Sequence, residues 1–156
     1  MKKFDYENSF GFVIYSASKM MQKAFDLELR NKTGINLVQS KVIFALNMQS
    51  GPTQRELADK IGVESPTLVP IIDKMEQDGY VKRKLDSKDR RIKRIYSTAK
   101  ADSMWDSMME CAAQIRKTAI RDLSEPEIKS ALDVVKKMTE NLAVYLESTI
   151  DEKEKD

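Results

Sequence analysis

The chain has 156 residues, 41% apolar and 33% charged, with a formal net charge of +2, which suits one domain or a small domain with helical extensions. No apolar run approaches the ~18–20 residues of a membrane helix. Asp5 and Glu7 interrupt the opening MKKFDYENSFGFVIYSAS, and no small-residue cleavage pattern follows it, so a cytoplasmic location is expected. Histidine is absent and Cys111 is the only cysteine, which removes the usual general base, the commonest metal ligand and any intrachain disulfide.

Apolar residues at 10, 13, 14, 17, 20, 21, 24 and 25 keep the spacing of a helix with one wide apolar face, closed by Asn31-Lys32-Thr33-Gly34. A second helix is predicted over 37–48, with Val38, Val42, Ala45 and Leu46 on one side, and Ser50-Gly51-Pro52 breaks it. Thr53-Gln54-Arg55-Glu56 has the form of a capping box opening a short helix with Leu57, Ala58 and Ile61, ended by Gly62. Ser65 is predicted to cap the next helix with Pro66 at its first position, where a missing N–H costs nothing. Leu68, Ile72 and Met75 form its apolar side and Gly79 its left-handed terminator.

From Tyr80 the period changes. Residues 80–85 and 92–97 mix β-branched, aromatic and basic side chains and read as the strands of a hairpin whose long polar tip is 86–91. Thr98 is then expected to cap a helix whose apolar positions 105, 108, 109, 112, 115, 119, 120 and 123 share one face for about seven turns. Cys111 on that face is expected to be a small buried hydrophobe rather than a redox thiol. Ser124-Glu125-Pro126-Glu127, a second capping box, launches a last helix with Ile128, Ala131, Val135, Met138, Leu142, Tyr145 and Leu146 in register, and the charged tail 151–156 is expected to fray. The predicted order is α-α-α-α-β-β-α-α.

The charge is concentrated in the hairpin. Residues 82–94, KRKLDSKDRRIKR, hold eight basic and two acidic side chains in thirteen positions, a local +6 that leaves the remainder of the chain at −4. A cationic projection on a slightly acidic body is the footprint of a polyanion binder. Two short helices joined through Gly62 make a helix-turn-helix, and a hairpin directly after them makes it winged. The second helix suits the major groove, and an arginine at the hairpin tip suits the focused potential of the minor groove.

These residues resemble the MarR family of regulators. Gly62-Val63-Glu64-Ser65-Pro66-Thr67-Leu68-Val69 through Gly79-Tyr80-Val81-Lys82-Arg83 is similar to that family's recognition helix and first wing strand. Asp89-Arg90-Arg91-Ile92-Lys93-Arg94-Ile95-Tyr96-Ser97-Thr98 matches its wing motif, and Thr53-Gln54-Arg55-Glu56-Leu57-Ala58 fits the helix before. The wording Glu64-Ser65-Pro66-Thr67-Leu68-Val69 is nearest the SlyA-like branch. The resemblance runs over roughly residues 35–100. It implies a mainly α fold with a small β-hairpin wing: one domain over 1–156, with a winged helix-turn-helix lobe at 35–98 and dimerisation helices at 4–33 and 99–150. It further implies a homodimer on a pseudo-palindromic double-stranded operator, repressing transcription until a small phenolic or anionic effector, or an oxidant, alters the spacing of the lobes. The apolar stripes of the terminal helices independently suit a dimer, since the central lobe is too small to bury them all. No cofactor is expected.

Carried over by position, Arg91 would enter the minor groove, and Asp89 would hold the wing's shape by pairing with a nearby arginine. Ser65, Thr67 and Val69 would face the major groove. Thr53, Gln54 and Arg55 would meet phosphate at the start of their helix, and Lys74, Lys88, Arg90 and Lys93 would add phosphate contacts. Arg83 is open between a DNA contact and a structural ion pair with Asp86 or Asp89. Four positions depart from the family pattern: Pro70 in place of a common arginine, Ser97 of a leucine, Ala101 of a glycine and Ser40 of a tryptophan. Pro70 removes one helical hydrogen bond and is expected to bend the recognition helix.

Among rival readings, an enzyme lacks histidine, a Gly-rich phosphate loop and any metal-spaced cluster. A winged helix used only for protein contacts should lack the basic wing, whereas a nucleoid or architectural DNA binder stays open because of Pro70. Methionines 20, 21, 104, 108 and 109 are either core filler or the lining of an adaptable effector cleft.

Overall fold

The computed structural model describes residues 5–153. Residues 1–4 and 154–156, which include the first position of the predicted N-terminal dimerisation segment and the end of the charged tail, lie outside the described residues. The chain divides into two units, one reaching Arg116 and one beginning at Lys117.

In the first unit, α1 (Phe10–Thr33) starts where the Ser9 side chain accepts from the Phe12 amide and stops at Gly34. Only Leu29 of α1 is buried, while Phe10, Val13, Met20 and Met21 on its apolar face are exposed. α2 (Leu37–Met48) keeps the predicted bounds, opened by a reciprocal box between Asn36 and Gln39. α3 (Gln54–Ile61) opens on the predicted Thr53–Glu56 box, with the Thr53 amide donating to Glu56 Oε2 at 2.7 Å. It ends at Gly62 with φ 72°, a left-handed conformation that lets the chain turn directly into the next helix.

α4 (Ser65–Gln77) corrects one expectation: Glu64, not Ser65, is the N-cap, and no side chain bonds the first turn. With Pro66 among the leading residues there is one amide fewer to cap, so the helix starts without a hydroxyl acceptor. α4 runs through Pro70 without a break. Leu68, Ile72 and Met75 lie on its inner side at 0% exposure, each contributing about 1.5–3 kcal/mol of burial. They meet Leu57 of α3 and Val42 and Ile43 of α2 in a single core cluster.

β1 (Val81–Leu85) pairs antiparallel with β2 (Lys93–Ser97) in the register Val81–Ser97 to Leu85–Lys93. A third rung joins them, because Ile95 N donates to the Pro52 carbonyl at 2.9 Å and Thr53 bridges Arg94. This stub ties the start of α3 to the hairpin. Gly51 makes the approach possible: a Cβ there would come within 2.8 Å of the Tyr96 ring, and its φ is 69°.

The long helix predicted after Thr98 is two. α5 (Ala99–Asp102) is capped by Thr98 as expected, and α6 (Trp105–Ala119) follows after a tightened turn in which Met104 N reaches the Ala101 carbonyl. Local hydroxyls compete with the helix here: Ser103 Oγ donates to the Lys100 carbonyl, and Ser97 Oγ holds the Asp102 carboxylate at 2.6 Å. Positions 120 and 123 fall outside α6, and Leu123 is half exposed. Cys111 is fully buried, as expected, and burial pushes its thiol up.

In the second unit, α7 (Glu125–Lys153) starts where Glu127 Oε2 accepts from both the Ser124 amide and its hydroxyl. Val135, Leu142, Tyr145 and Leu146 form an exposed apolar stripe along it. No described helix is long and apolar enough to cross a membrane.

Candidate nucleic-acid interface

Burial alone orients α4. Its inner side is packed on the lobe, so only the opposite side can meet another molecule. That outer side runs Pro66, Pro70, Asp73 and Gln77 at four-three-four spacing, all exposed, with Val69 on one flank and Thr67 and Lys74 on the other. Thr67 and Val69 therefore face outward as expected, while Ser65 is only half exposed. Pro66 and Pro70 occupy the centre of the face, which was not anticipated. The signal was present in the sequence: the positions opposite Leu68, Ile72 and Met75 are fixed by the same 3.6-residue period.

At the start of α3, Thr53 Oγ1 accepts from the Glu56 amide at 3.3 Å, and the Thr53 amide and side chain both bond the Glu56 carboxyl and hold it below the usual carboxylate range. Arg55 is exposed. Gln54 is half-buried, and its carbonyl oxygen accepts from Arg83 at 3.4 Å.

Arg83 forms a structural ion pair, with partners other than the two read from the sequence. Its side chain is 17% exposed and pairs neither with Asp86 nor with Asp89. Instead it donates to Glu76 Oε2 and Asp73 Oδ1, each at 2.6 Å, both on α4. The Arg83 amide also donates to Glu76 Oε1 at 2.8 Å, and these bonds hold the Glu76 carboxyl below the usual carboxylate range. Asp86 and Asp89 are nearer along the chain, but β1 lies beside α4 and brings Asp73 and Glu76 nearer in space.

The wing tip is organised around two aspartates. Asp86 accepts from the amides of Lys88 at 2.8 Å and Asp89 at 3.0 Å and pairs with Arg94 Nε. The Arg94 guanidinium, followed by those amides, lowers the Asp86 pKa to about 2. Arg94 also donates to the Gly51 carbonyl at 2.8 Å, so one side chain fastens the tip to the body of the lobe. Asp89 does pair with an arginine, and that arginine is Arg91: its Nη2 donates at 2.8 Å and its Nε at 3.0 Å, while the Arg91 amide bonds the same carboxylate. Arg91 remains 90% exposed at the apex. Lys88, Arg90 and Lys93 are exposed around it, and Lys74 on α4 pairs with Asp78 at 2.9 Å. Cationic groups thus gather on the wing beside a helix whose outer face is free of the core.

A separate apolar cavity of about 500 Å³ lies in the same unit, walled by Phe25 of α1, Ser40 and Phe44 of α2, Ile61 of α3, and Met108 and Met109 of α6. Ser40 is buried with its hydroxyl donated to the Leu37 carbonyl at 2.8 Å, so a small side chain stands where a larger one would fill space. Of the methionines considered for such a cleft, 108 and 109 line it, 104 packs partly on the core, and 20 and 21 are exposed on α1.

The sequence model of the MarR family matches residues 35–93. The solved structure of transcriptional regulator PA3341 is similar to this chain at 32% identity, covering 86% of this chain and 98% of that one with a TM-score of 0.72. Reduced MarR from E. coli is 18% identical over 83% of this chain and 96% of its own, with a TM-score of 0.76. BpsR of Bordetella bronchiseptica, whose DNA binding is regulated by 6-hydroxynicotinic acid, is 17% identical over 87% of this chain and 96% of its own, with a TM-score of 0.74.

Proposed function

Because the chain belongs to the MarR family of transcriptional regulators, a family that acts by binding DNA, we propose that it works as a homodimeric repressor on a pseudo-palindromic operator and is released by a small ligand. The observation that carries the DNA half of this reading is the exposed Arg91 apex, flanked by Lys88, Arg90 and Lys93 and set beside the outward face of α4. In this reading the winged lobe spans 35–98, α4 enters the major groove, and the wing lays Arg91 against the minor groove. Thr53 and Arg55 meet phosphate at the start of α3, and Gln54 contributes there through its amide nitrogen. The placement nearest the SlyA-like branch rests only on the wording of residues 64–69.

Support for a dimer comes from exposed apolar side chains on the terminal helices: Phe10, Val13 and Met20 on α1, and Leu142, Tyr145 and Leu146 on α7. Such stripes are covered in a stable protein, and a second copy of the same helices covers them symmetrically. The dimerisation segments are accordingly 4–33 and 99–150. No catalytic step enters this reading, and a regulator of chromosomal DNA works in the cytoplasm.

The effector half rests on the cavity below Ser40. Its walls are apolar, with Lys41 and Lys60 among the residues that line it, which suits an aromatic body bearing an anionic or phenolic group. The related BpsR, regulated by 6-hydroxynicotinic acid, is an example of that ligand chemistry. The deciding experiment selects bound fragments from random or genomic DNA. A palindromic consensus with half-sites about one helical turn, ~10 bp, apart supports an operator-binding dimer. A flat profile favours a non-specific architectural binder, for which the scarcity of hydrogen-bonding side chains on the first turns of α4 speaks.

A further inference from the structure

The outer face of α4 has a chemistry of its own. Pro66, Val69 and Pro70 stand at i, i+3 and i+4, so they form one continuous apolar facet on the first two turns, the part of a recognition helix that reaches base edges. Val69 is 40% exposed and both prolines are exposed, so the facet is open to a partner. No arginine, lysine, asparagine or glutamine lies between Ser65 and Asp73, so these turns carry no forked donor for guanine and no amide for adenine. The only polar side chains there are the hydroxyls of Ser65 and Thr67. Asp73, the next residue of the outer stripe, is already held by Arg83 at 2.6 Å.

In the major groove only thymine presents an apolar group, its C5-methyl. From this match we propose that α4 selects thymine through contact of those methyls with the Pro66–Val69–Pro70 facet, with Ser65 and Thr67 in supporting polar contacts. The proposal rests on the reading that α4 occupies the major groove. Rigid side chains suit the task. Proline loses no rotamer freedom on contact and helical valine has one strongly preferred rotamer, so ordering the facet against the methyls costs little entropy. Pro70 then has a positive role: it removes the donor that relatives carry and completes an apolar surface that Val69 alone would leave too small.

The test uses the full-length protein and an operator fragment selected from random DNA. Each thymine of the half-sites is replaced in turn by deoxyuridine, which removes one methyl and keeps the pairing edge, and affinity is read by fluorescence anisotropy. The expected result is a loss of about fourfold for each contacted methyl, the worth of one buried carbon, at symmetric positions in the two half-sites. Val69→Ala, at an exposed position, is expected to shrink the thymine–deoxyuridine difference without changing the salt dependence. A selected operator that binds equally well with deoxyuridine throughout its half-sites overturns the proposal and leaves operator binding intact. A thymine preference that Val69→Ala and Pro70→Ala both leave unaltered removes these residues from it. A chain with no sequence preference at all overturns the operator reading as well.

Discussion

Arg83 holds Glu76 twice, through a guanidinium bond to Oε2 at 2.6 Å and a backbone bond to Oε1 at 2.8 Å. The same guanidinium takes Asp73, so one cation of the basic segment is turned into the lobe and offsets part of the charge of two acids on α4. Without it, Asp73 and Glu76 would stand on α4 with no cation between them. Replacing Arg83 by Met is expected to lower unfolding stability by about 1.5–3 kcal/mol, the range for hydrogen bonds to charged groups. Urea unfolding, read as a lower midpoint at unchanged slope, checks this.

The wing tip should respond to acid. Asp86 titrates at about 2, below an unfolded carboxylate at about 4, because the ionised form holds Arg94 and two amides. A depressed pKa means that this contribution is fully present above about pH 4 and is lost as pH falls toward about 2. Amide resonances of Lys88 and Asp89 are expected to move in that window. In Asp86→Asn the tip should be looser at neutral pH and the acid step should vanish.

Arg91 should matter for binding and not for folding. Its pairing with Asp89 is on an exposed side chain, and exposed pairs contribute little to stability. Arg91→Ala is expected to weaken operator binding by about 1–3 kcal/mol while thermal stability stays unchanged. Equal affinity of the variant in an anisotropy titration would remove the wing apex from the mechanism.

Pro70→Arg should steepen the salt dependence of binding and shrink the preference for thymine over deoxyuridine in the selected operator. The substitution restores a helical amide and adds a cation on the outward face; each phosphate neutralised adds about 0.9 to the slope of log affinity against log salt. Tighter binding with the thymine preference unchanged would instead remove the proline from readout.

Much of the fold was legible in the residues because its signals are local. The bounds of α2, the box at Thr53–Glu56, the turn at Gly62 and the hairpin strands each depend on side chains a few positions apart. The break between α5 and α6 was missed because apolar periodicity continues through it, while Ser97 Oγ takes the Asp102 carboxylate and Ser103 Oγ takes the Lys100 carbonyl. The capping of α4 was misread by one residue for a similar reason, since a serine before a proline looks like a cap whether or not its hydroxyl reaches an amide.

By itself the sequence determined the order of elements through the hairpin, the placing of positive charge in that hairpin and the family, since these follow from spacing and composition along the chain. Only the tertiary structure decided how that charge is used. Arg83 is drawn inward to Asp73 and Glu76, Arg94 fastens the tip through Asp86 and Gly51, and Arg91 is left at the surface. Charges pair with whatever carboxylate packing brings within a few ångströms, and that distance is set by the docking of β1 on α4 and of residues 51–53 on β2.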